Sequence, residues 1–393
     1  MEHFITKIKI EKLRHLENIE ICLSEEKRQH LLITGKNGSG KTSLLEALRE
    51  TLTVINQKYW KHYKNYVAGK DDFVADVIDE VFNGFSNDLK VAFNFDDELD
   101  ELFAKGAFIT AYFPAYRKTN IKMATGVENI KLATNYEFSA DPAEWLVKYM
   151  VHLKTQQLYA RQENEPQVEK NIQKWFNRFE EALGILLEDD SIKMEFDYKN
   201  YNFLLHQDGR LSFGFDGLSD GHSSVIQIVS NLIMRMEQNW LLKGNLSEYN
   251  VEGIALIDEL ETHLHIELQK KILPFLVTFF PRVQFIITTH SPYVLTSISD
   301  ATVFDLEKKL LITDMSLYSI NDVSVGYFDA EDYSDELIKK LERYKELLTL
   351  DTLSDDERAE RAKLRIELKN IQGRLAPQVK NEFDDLELRR SNG

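Results

Sequence analysis

The stretch "GKNGSGKT" at residues 35–42 constrains this chain more than any other. Its glycines, Gly35, Gly38 and Gly40, allow backbone conformations that other residues resist, so the chain can wrap with its amides pointing inward. An apolar strand pattern, "HLLIT", runs into the loop, and "TSLLEALRETLTV" leaves it with apolar residues at helical spacing. Strand, glycine loop and helix in that order make a P-loop. Inward amides at a helix N-terminus form a cradle for phosphate. Lys41 is placed to reach the β and γ phosphates, where it also serves catalysis, and the Thr42 hydroxyl to ligate a metal. The nucleotide-binding set is therefore Gly35, Asn37, Gly38, Ser39, Gly40, Lys41, Thr42 and Ser43, with ATP and Mg2+ as the expected ligands.

Such a site needs carboxylates from a second strand. "IALIDE" (254–259) is an apolar strand pattern ending in Asp258 and Glu259. Ligands sit at the carboxyl ends of strands in open α/β sheets, so both acids are delivered to the right edge. Asp258 is expected to hold the magnesium through water, and Glu259 to orient and deprotonate the attacking water. "VQFIITTHSP" (283–292) repeats the pattern and brings His290 to the same edge, as a sensor of the γ-phosphate.

A fourth stretch, "LSDGHS" (218–223), stands between "GRLSFGF" and the helical pattern "SSVIQIVSNLIMRM". Ser219 offers a hydroxyl, while Gly221 and the helix start offer amides and the positive end of a dipole. Those groups can cap the helix, bind an anion, or do both.

In sequence order the four stretches resemble the ABC-type ATPases of the RecF, SMC and OLD group. "ITKIKIEKLRHLENIEICL" is similar to their N-terminal strands, and "DELETHLH" to their "DEPExHLHP" form. The likeness covers roughly 1–54 and 210–320. It implies a fold: an α/β P-loop NTPase, an ABC-type ATPase head with a mixed sheet, an inserted helical lobe and a C-terminal helical hairpin. It also implies that Ser219 and Gly221 face the γ-phosphate held by a second subunit, so that two copies sandwich two ATP molecules, with Glu261 to His265 near the dyad. His222 stands where glycine is more usual. ABC heads also carry a glutamine near the position of "YFPAYR" (112–117), where this chain has Arg117. The implied organisation is a head split over 1–112 and 210–330, a lobe at 113–209 and a hairpin at 331–393.

The remaining patterns fill in that outline. Asp141-Pro142-Ala143-Glu144 reads as a helix start with a capping box, leading into helices at 142–162 and 166–187. "SIKMEFDY" and "YNFLLHQDGRLSFGF" read as antiparallel strands around a "QDG" turn. Leu337, Leu341, Tyr344 and Leu348 keep a 4-3-4 spacing, as do Leu364, Leu368, Ile371 and Leu375, which predicts two packed helices. Ser354 and Glu357 form a capping box for the second, and the charged tail after Pro377 is expected to fray.

Bulk properties limit the function. Of 393 residues, 65 are acidic and 48 basic, a net charge of −17, which excludes a wholly basic nucleic-acid coat. Cys22 stands alone, so neither a disulfide nor a cysteine-rich metal site can form within the chain. The N-terminus lacks a signal-peptide core, and Pro274, Pro281 and Arg282 break the most apolar stretch, so a cytoplasmic protein without a membrane span is expected. No nuclease constellation is present, and the segment after the head is short for a Toprim nuclease. Compact ATPases of the Septu and PARIS systems and their retron-linked relatives look similar and work with a separate nuclease or toxin. The resemblance thus implies a sensor subunit of an anti-phage defence complex, self-associating as a homodimer or higher oligomer and controlling an effector protein. A RecF-like repair clamp binding DNA is the alternative, and Lys58, Lys61, Lys64 and Lys70 among Tyr59, Trp60, Tyr63 and Tyr66 would be its DNA surface unless those aromatics pack inward. A transporter nucleotide-binding subunit fits the "ETHLH" stretch poorly.

Overall fold

The computed structural model describes residues 2–56, 60, 63, 65, 89–95, 99–117, 120–243, 250–324, 335–350, 352–370 and 377–392. The chain divides into two compact units, Met1–Tyr318 and Ser319–Gly393.

The first unit is built on two sheets. β1 (Ile5–Leu13), β2 (Leu16–Cys22) and β4 (Leu89–Phe93) form an antiparallel sheet in the order β2-β1-β4. Their alternating pattern buries one face: Ile8 sits opposite Ile21, and Ile10 opposite Ile19. The second sheet has six strands in the order β11-β10-β3-β9-β8-β5. These are β3 (His30–Thr34), β5 (Phe108–Phe113), β8 (Glu252–Ile257), β9 (Val283–Thr288), β10 (Ala301–Asp305) and β11 (Leu310–Thr313). All neighbours are parallel except β10 and β11. β3, β8, β9 and β10 are buried along their whole length, which is why they read as unbroken apolar runs rather than alternating ones. Buried Gln284 on β9 joins the sheets: its side chain accepts from Ile5 N at 2.7 Å and donates to Ile5 O at 3.0 Å.

Register decides where the site forms. Ile33 pairs with Thr288, Ile257 with Ile287, and Phe113 with Ile257. The carboxyl ends of β3, β5, β8 and β9 therefore share one edge, from which α1 (Lys41–Asn56) departs.

Between β5 and β8 the chain forms the lobe, comprising α3 (Leu146–Gln162), α4 (Pro166–Leu186) and a hairpin of β6 (Lys193–Asp197) with β7 (Asn202–His206). α5 (Asp220–Lys243) runs from the lobe back to the sheet. A short α2 (Leu99–Ala104) precedes β5, α6 (Ile266–Phe279) links β8 to β9, and a single turn, α7 (Pro292–Leu295), follows β9. Two buried charges fix α5. The Arg235 guanidinium donates to the carbonyls of Thr110, Tyr136, Glu137, Phe138 and Ala140. The Glu237 carboxylate accepts from Tyr149 Oη at 2.8 Å and from Trp175 Nε1 at 2.5 Å. Among the described residues, no helix is long and apolar enough to cross a membrane.

Three local expectations are corrected. Residues Pro142–Trp145 form a 3₁₀ turn, and the α-helix begins only at Leu146. Asp141 makes no cap; its carboxylate instead accepts from Asn231 at 2.9 Å and Gln227 at 3.3 Å, a tertiary bond that outcompetes the local one. The hairpin turns at Tyr198–Tyr201, while Gln207–Gly209 returns the chain for a single bridge between Leu205 and Phe213. The region after Pro377 does not fray, and Pro377–Asn392 is a helix.

The second unit contains α8 (Asp335–Thr349), α9 (Asp355–Lys369) and that third helix, α10 (Pro377–Asn392). Leu341, Tyr344, Leu364 and Leu368 are buried as their spacing requires, together with Leu347, and Leu337 and Leu348 are partly buried against them. Val379 and Phe383 complete the cluster from α10. Ser354 and Glu357 form the expected capping box. Ile371 and Leu375 lie outside the described residues.

Lys58, Lys61, Lys64, Lys70, Tyr59 and Tyr66 also lie outside the described residues. Trp60 and Tyr63 are buried and stacked at 5.3 Å, and the Tyr63 hydroxyl accepts from Val91 N at 2.9 Å. These two rings are thus committed to packing rather than to bases.

Candidate active site

The P-loop adopts the conformation its glycines permit: φ is +137° at Gly35, +83° at Gly38 and +99° at Gly40. A Cβ at Gly35 would meet Ser39 Oγ at 2.8 Å, so the loop closes too tightly for a side chain there. Lys41 is buried and donates to the carbonyls of Gly35 at 2.8 Å and Lys36 at 3.2 Å. Burial pulls its pKa below the usual lysine value, opposed by Glu259, Asp258, Glu261 and Asp305. Asn37 and Gly38 are exposed at the loop crest, and Thr42 is exposed while Ser43 is half-buried at the start of α1. Beside the loop lies a cleft of about 420 Å³ lined by His15, Leu16, Lys36, Ser39, Leu306 and Lys309 among others.

Asp258 is 1% exposed, and each carboxylate oxygen has a partner. Oδ2 accepts from Thr42 Oγ1 at 2.8 Å, and Oδ1 from Thr288 Oγ1 at 2.5 Å. A hydroxyl and a carboxylate meeting at one point is the donor set of a magnesium that takes its remaining ligands from phosphate and water. Thr42 and Asp258 fit that ion with oxygen ligands alone.

The next residue leaves the strand abruptly. Glu259 has φ +44°, in the left-handed region. Its amide donates to Thr288 Oγ1 at 2.7 Å, while among the described residues its carboxylate takes only a long contact from Thr262 Oγ1 at 3.4 Å. It is left open to water. His290 stands beside it: its amide donates to Glu261 Oε1 at 2.5 Å, and its buried Nε2 has no hydrogen-bond partner among the described residues. Burial, then the charge of Lys41, lowers its pKa. A neutral imidazole with one free nitrogen suits a sensor that meets a phosphate oxygen as a donor.

Thus Lys41, Thr42, Asp258, Glu259 and His290 gather at one sheet edge. Ser219 and Gly221 stand apart from them at the start of α5. Ser219 caps that helix, its Oγ accepting from His222 N at 3.3 Å and contacting His222 Nδ1 at 3.1 Å. Gly221 packs against the segment after β8, where a Cβ would approach His263 O to 2.4 Å. Ser219 and His222 also line a groove of about 650 Å³ shared with Asp189, Gln207 and Arg210 of the lobe.

Two site residues were not foreseen in these roles. Thr288 bridges Asp258 and Glu259 N, and the paired threonines of "ITTH" at a strand end were a usable signal. Arg117 does not reach outward as a substitute for glutamine. Its guanidinium donates to Pro114 O at 3.0 Å, Asp258 O at 2.7 Å, Glu259 O at 3.1 Å and Leu260 O at 3.0 Å.

Fold and site define a P-loop ATPase. The chain belongs to the AAA ATPase domain family, whose model matches residues 4–207. An AAA-domain model described for the AbiEii toxin of type IV toxin–antitoxin systems matches residues 128–296. The chain is 24% identical to the Septu protein PtuA of Bacillus mycoides across 95% of its own length and 51% of that protein's. It is 42% identical to the retron Vc95 probable ATPase of Vibrio cholerae over 21% of this chain and 16% of that one. The chain therefore spans about half the length of the first relative and less of the second. Among solved structures, the Smc head domain with an extended coiled coil from Pyrococcus furiosus aligns at a TM-score of 0.40 and 11% identity, over 77% of this chain and 93% of that chain.

Proposed function

We propose that this chain is a magnesium-dependent ATPase that closes as a homodimer around two ATP molecules and acts as the sensor subunit of an anti-phage defence complex. The observation that carries the catalytic half is the meeting of Lys41, Thr42, Asp258, Glu259 and His290 at one sheet edge. In this reading Lys41 releases the Gly35 and Lys36 carbonyls to take the β and γ phosphates. Bound magnesium would neutralise developing phosphate charge from its seat at Thr42 and Asp258. Glu259 accepts a proton from the attacking water as the bond to the γ-phosphorus forms and ADP departs, and His290 contacts the γ-phosphate.

Ser219, exposed at the amino end of α5, supports a role in trans: a hydroxyl at the positive end of a helix dipole can turn from its cap to a phosphate carried by a second copy. Similarity to a Septu protein and to a retron ATPase supports the defence role, with hydrolysis gating a separate nuclease or toxin. A location in the cytoplasm fits this reading.

The test is capture of tagged Glu259→Gln protein from its native host, with and without nuclease treatment. A stoichiometric protein partner that survives nuclease supports the defence complex. Recovery of only the chain itself with nuclease-sensitive DNA would replace that reading with a repair clamp.

A further inference from the structure

β8 ends at Ile257, yet the amides of the three residues after it are all bonded to neighbouring strands. Asp258 N donates to Phe113 O at 2.8 Å, Glu259 N to Thr288 Oγ1 at 2.7 Å and Leu260 N to Thr288 O at 3.2 Å. The amides are thereby satisfied by β5 and β9. The carbonyls of the same three residues have left the sheet ladder and need donors of their own. All three accept from one side chain, the guanidinium of Arg117, which is 5% exposed, and the Glu259 carbonyl accepts from Thr262 N at 3.0 Å as well. A fourth bond, to Pro114 O, holds that guanidinium to its own turn. Only arginine presents so many donors in one rigid plane.

The geometry points to Arg117 as a positioning residue for ATP hydrolysis: it fixes the carbonyls of Asp258, Glu259 and Leu260 and so holds Glu259 in the left-handed turn that aims its carboxylate. This rests on the assignment of Glu259 as the base. Among the described residues the Glu259 side chain has one 3.4 Å contact, so its aim is set by its backbone, which Thr288 holds at the amide and Arg117 holds at the carbonyl together with Thr262 N at 3.0 Å. Lysine can replace this fan of bonds only in part, because its ammonium offers three donors from one point where the guanidinium spreads four bonds over two nitrogens.

The experiment compares wild type, Arg117→Met, Arg117→Lys, Glu259→Gln and the double variant Arg117→Met/Glu259→Gln. It measures ATP affinity with a fluorescent analogue, single-turnover hydrolysis, and thermal unfolding. Misplacing a reacting group by about 1 Å costs on the order of 10²-fold. Arg117→Met is therefore expected to lower the hydrolysis rate by about that factor, with ATP affinity within about threefold of wild type. Arg117→Lys is expected to recover part of the rate. In the Glu259→Gln background, Arg117→Met should add little, because the group it positions is already gone.

A wild-type rate in Arg117→Met would overturn the proposal. So would losses that multiply in the double variant, or an affinity that falls as far as the rate. If Arg117→Met does not fold, Arg117→Lys carries the same comparison, and full activity there overturns it equally. If wild type hydrolyses ATP and Glu259→Gln does so as fast, the assignment of Glu259 fails, and the role of Arg117 with it. That outcome is told apart because it does not depend on any Arg117 variant.

Discussion

The Thr42 hydroxyl donates to Asp258 Oδ2 at 2.8 Å, joining residues that lie 216 positions apart in the chain. That bond joins the helix start that follows β3 to the end of β8, across the intervening β9, and marks where a cation would displace the proton-mediated contact. Replacing Thr42 with valine keeps the shape of the helix start and removes the hydroxyl proposed to hold the cation. The expected result is a magnesium requirement raised by about tenfold, corresponding to the loss of one good oxygen ligand. Titration of ATPase activity against magnesium at saturating ATP measures this, and an unchanged requirement would remove Thr42 from the metal site.

Glu259→Gln removes the carboxylate proposed as proton acceptor and preserves size. General bases contribute about 10²–10⁴-fold, so hydrolysis should fall by at least 10² while ATP still binds. With chemistry stalled, the proposed ATP-bound dimer should accumulate, and sedimentation with and without ATP reads it. Lys41→Ala should instead lose nucleotide binding altogether, because the buried ammonium carries the charge that the phosphates meet.

How much of this was legible follows from what each residue has to do. The place of the P-loop after β3, of Asp258 and Glu259 after β8 and of His290 after β9 could be read because phosphate chemistry dictates residue types at strand ends. β3, β8 and β9 could be read because strands covered on both faces must be apolar throughout. Arg117, Arg235 and Glu237 could not be read as structural. A charged residue that satisfies buried carbonyls or ring donors looks, in sequence, like one that faces water. Asp141 misled for a related reason: a Pro-containing helix start is a local signal, while its partners Asn231 and Gln227 sit far along the chain. α10 was missed because its two core residues, Val379 and Phe383, are diluted among charges.

Gly221 reports on how closely α5 approaches the segment after β8. A methyl group there would come within 2.4 Å of the His263 carbonyl, which is backbone and cannot swing away. Gly221→Ala is therefore expected to destabilise the fold by about 1–3 kcal/mol through overpacking. Denaturant unfolding measures it, and a neutral result would show that the helix start shifts freely.

Glu237 predicts a pH dependence that belongs to the lobe and not to catalysis. Burial raises its pKa from 4.5 to about 7, with the hydrogen bonds from Tyr149 and Trp175 opposing that rise only in part. The folded state therefore holds its proton more tightly than the unfolded chain does. Between pH 4.5 and about 7 the folded form binds more protons, so stability falls as pH rises through that window and levels off above it. The span corresponds to about 3 kcal/mol at most. Glu237→Gln keeps an acceptor for the Trp175 indole and a donor for the Tyr149 hydroxyl without any charge. Thermal unfolding from pH 5 to 8 should show wild type losing this component of stability with rising pH while Glu237→Gln lacks it. At pH 8 the variant should be the more stable of the two. Parallel pH profiles would mean that the carboxylate stays ionised in its pocket, its charge held by the two ring donors.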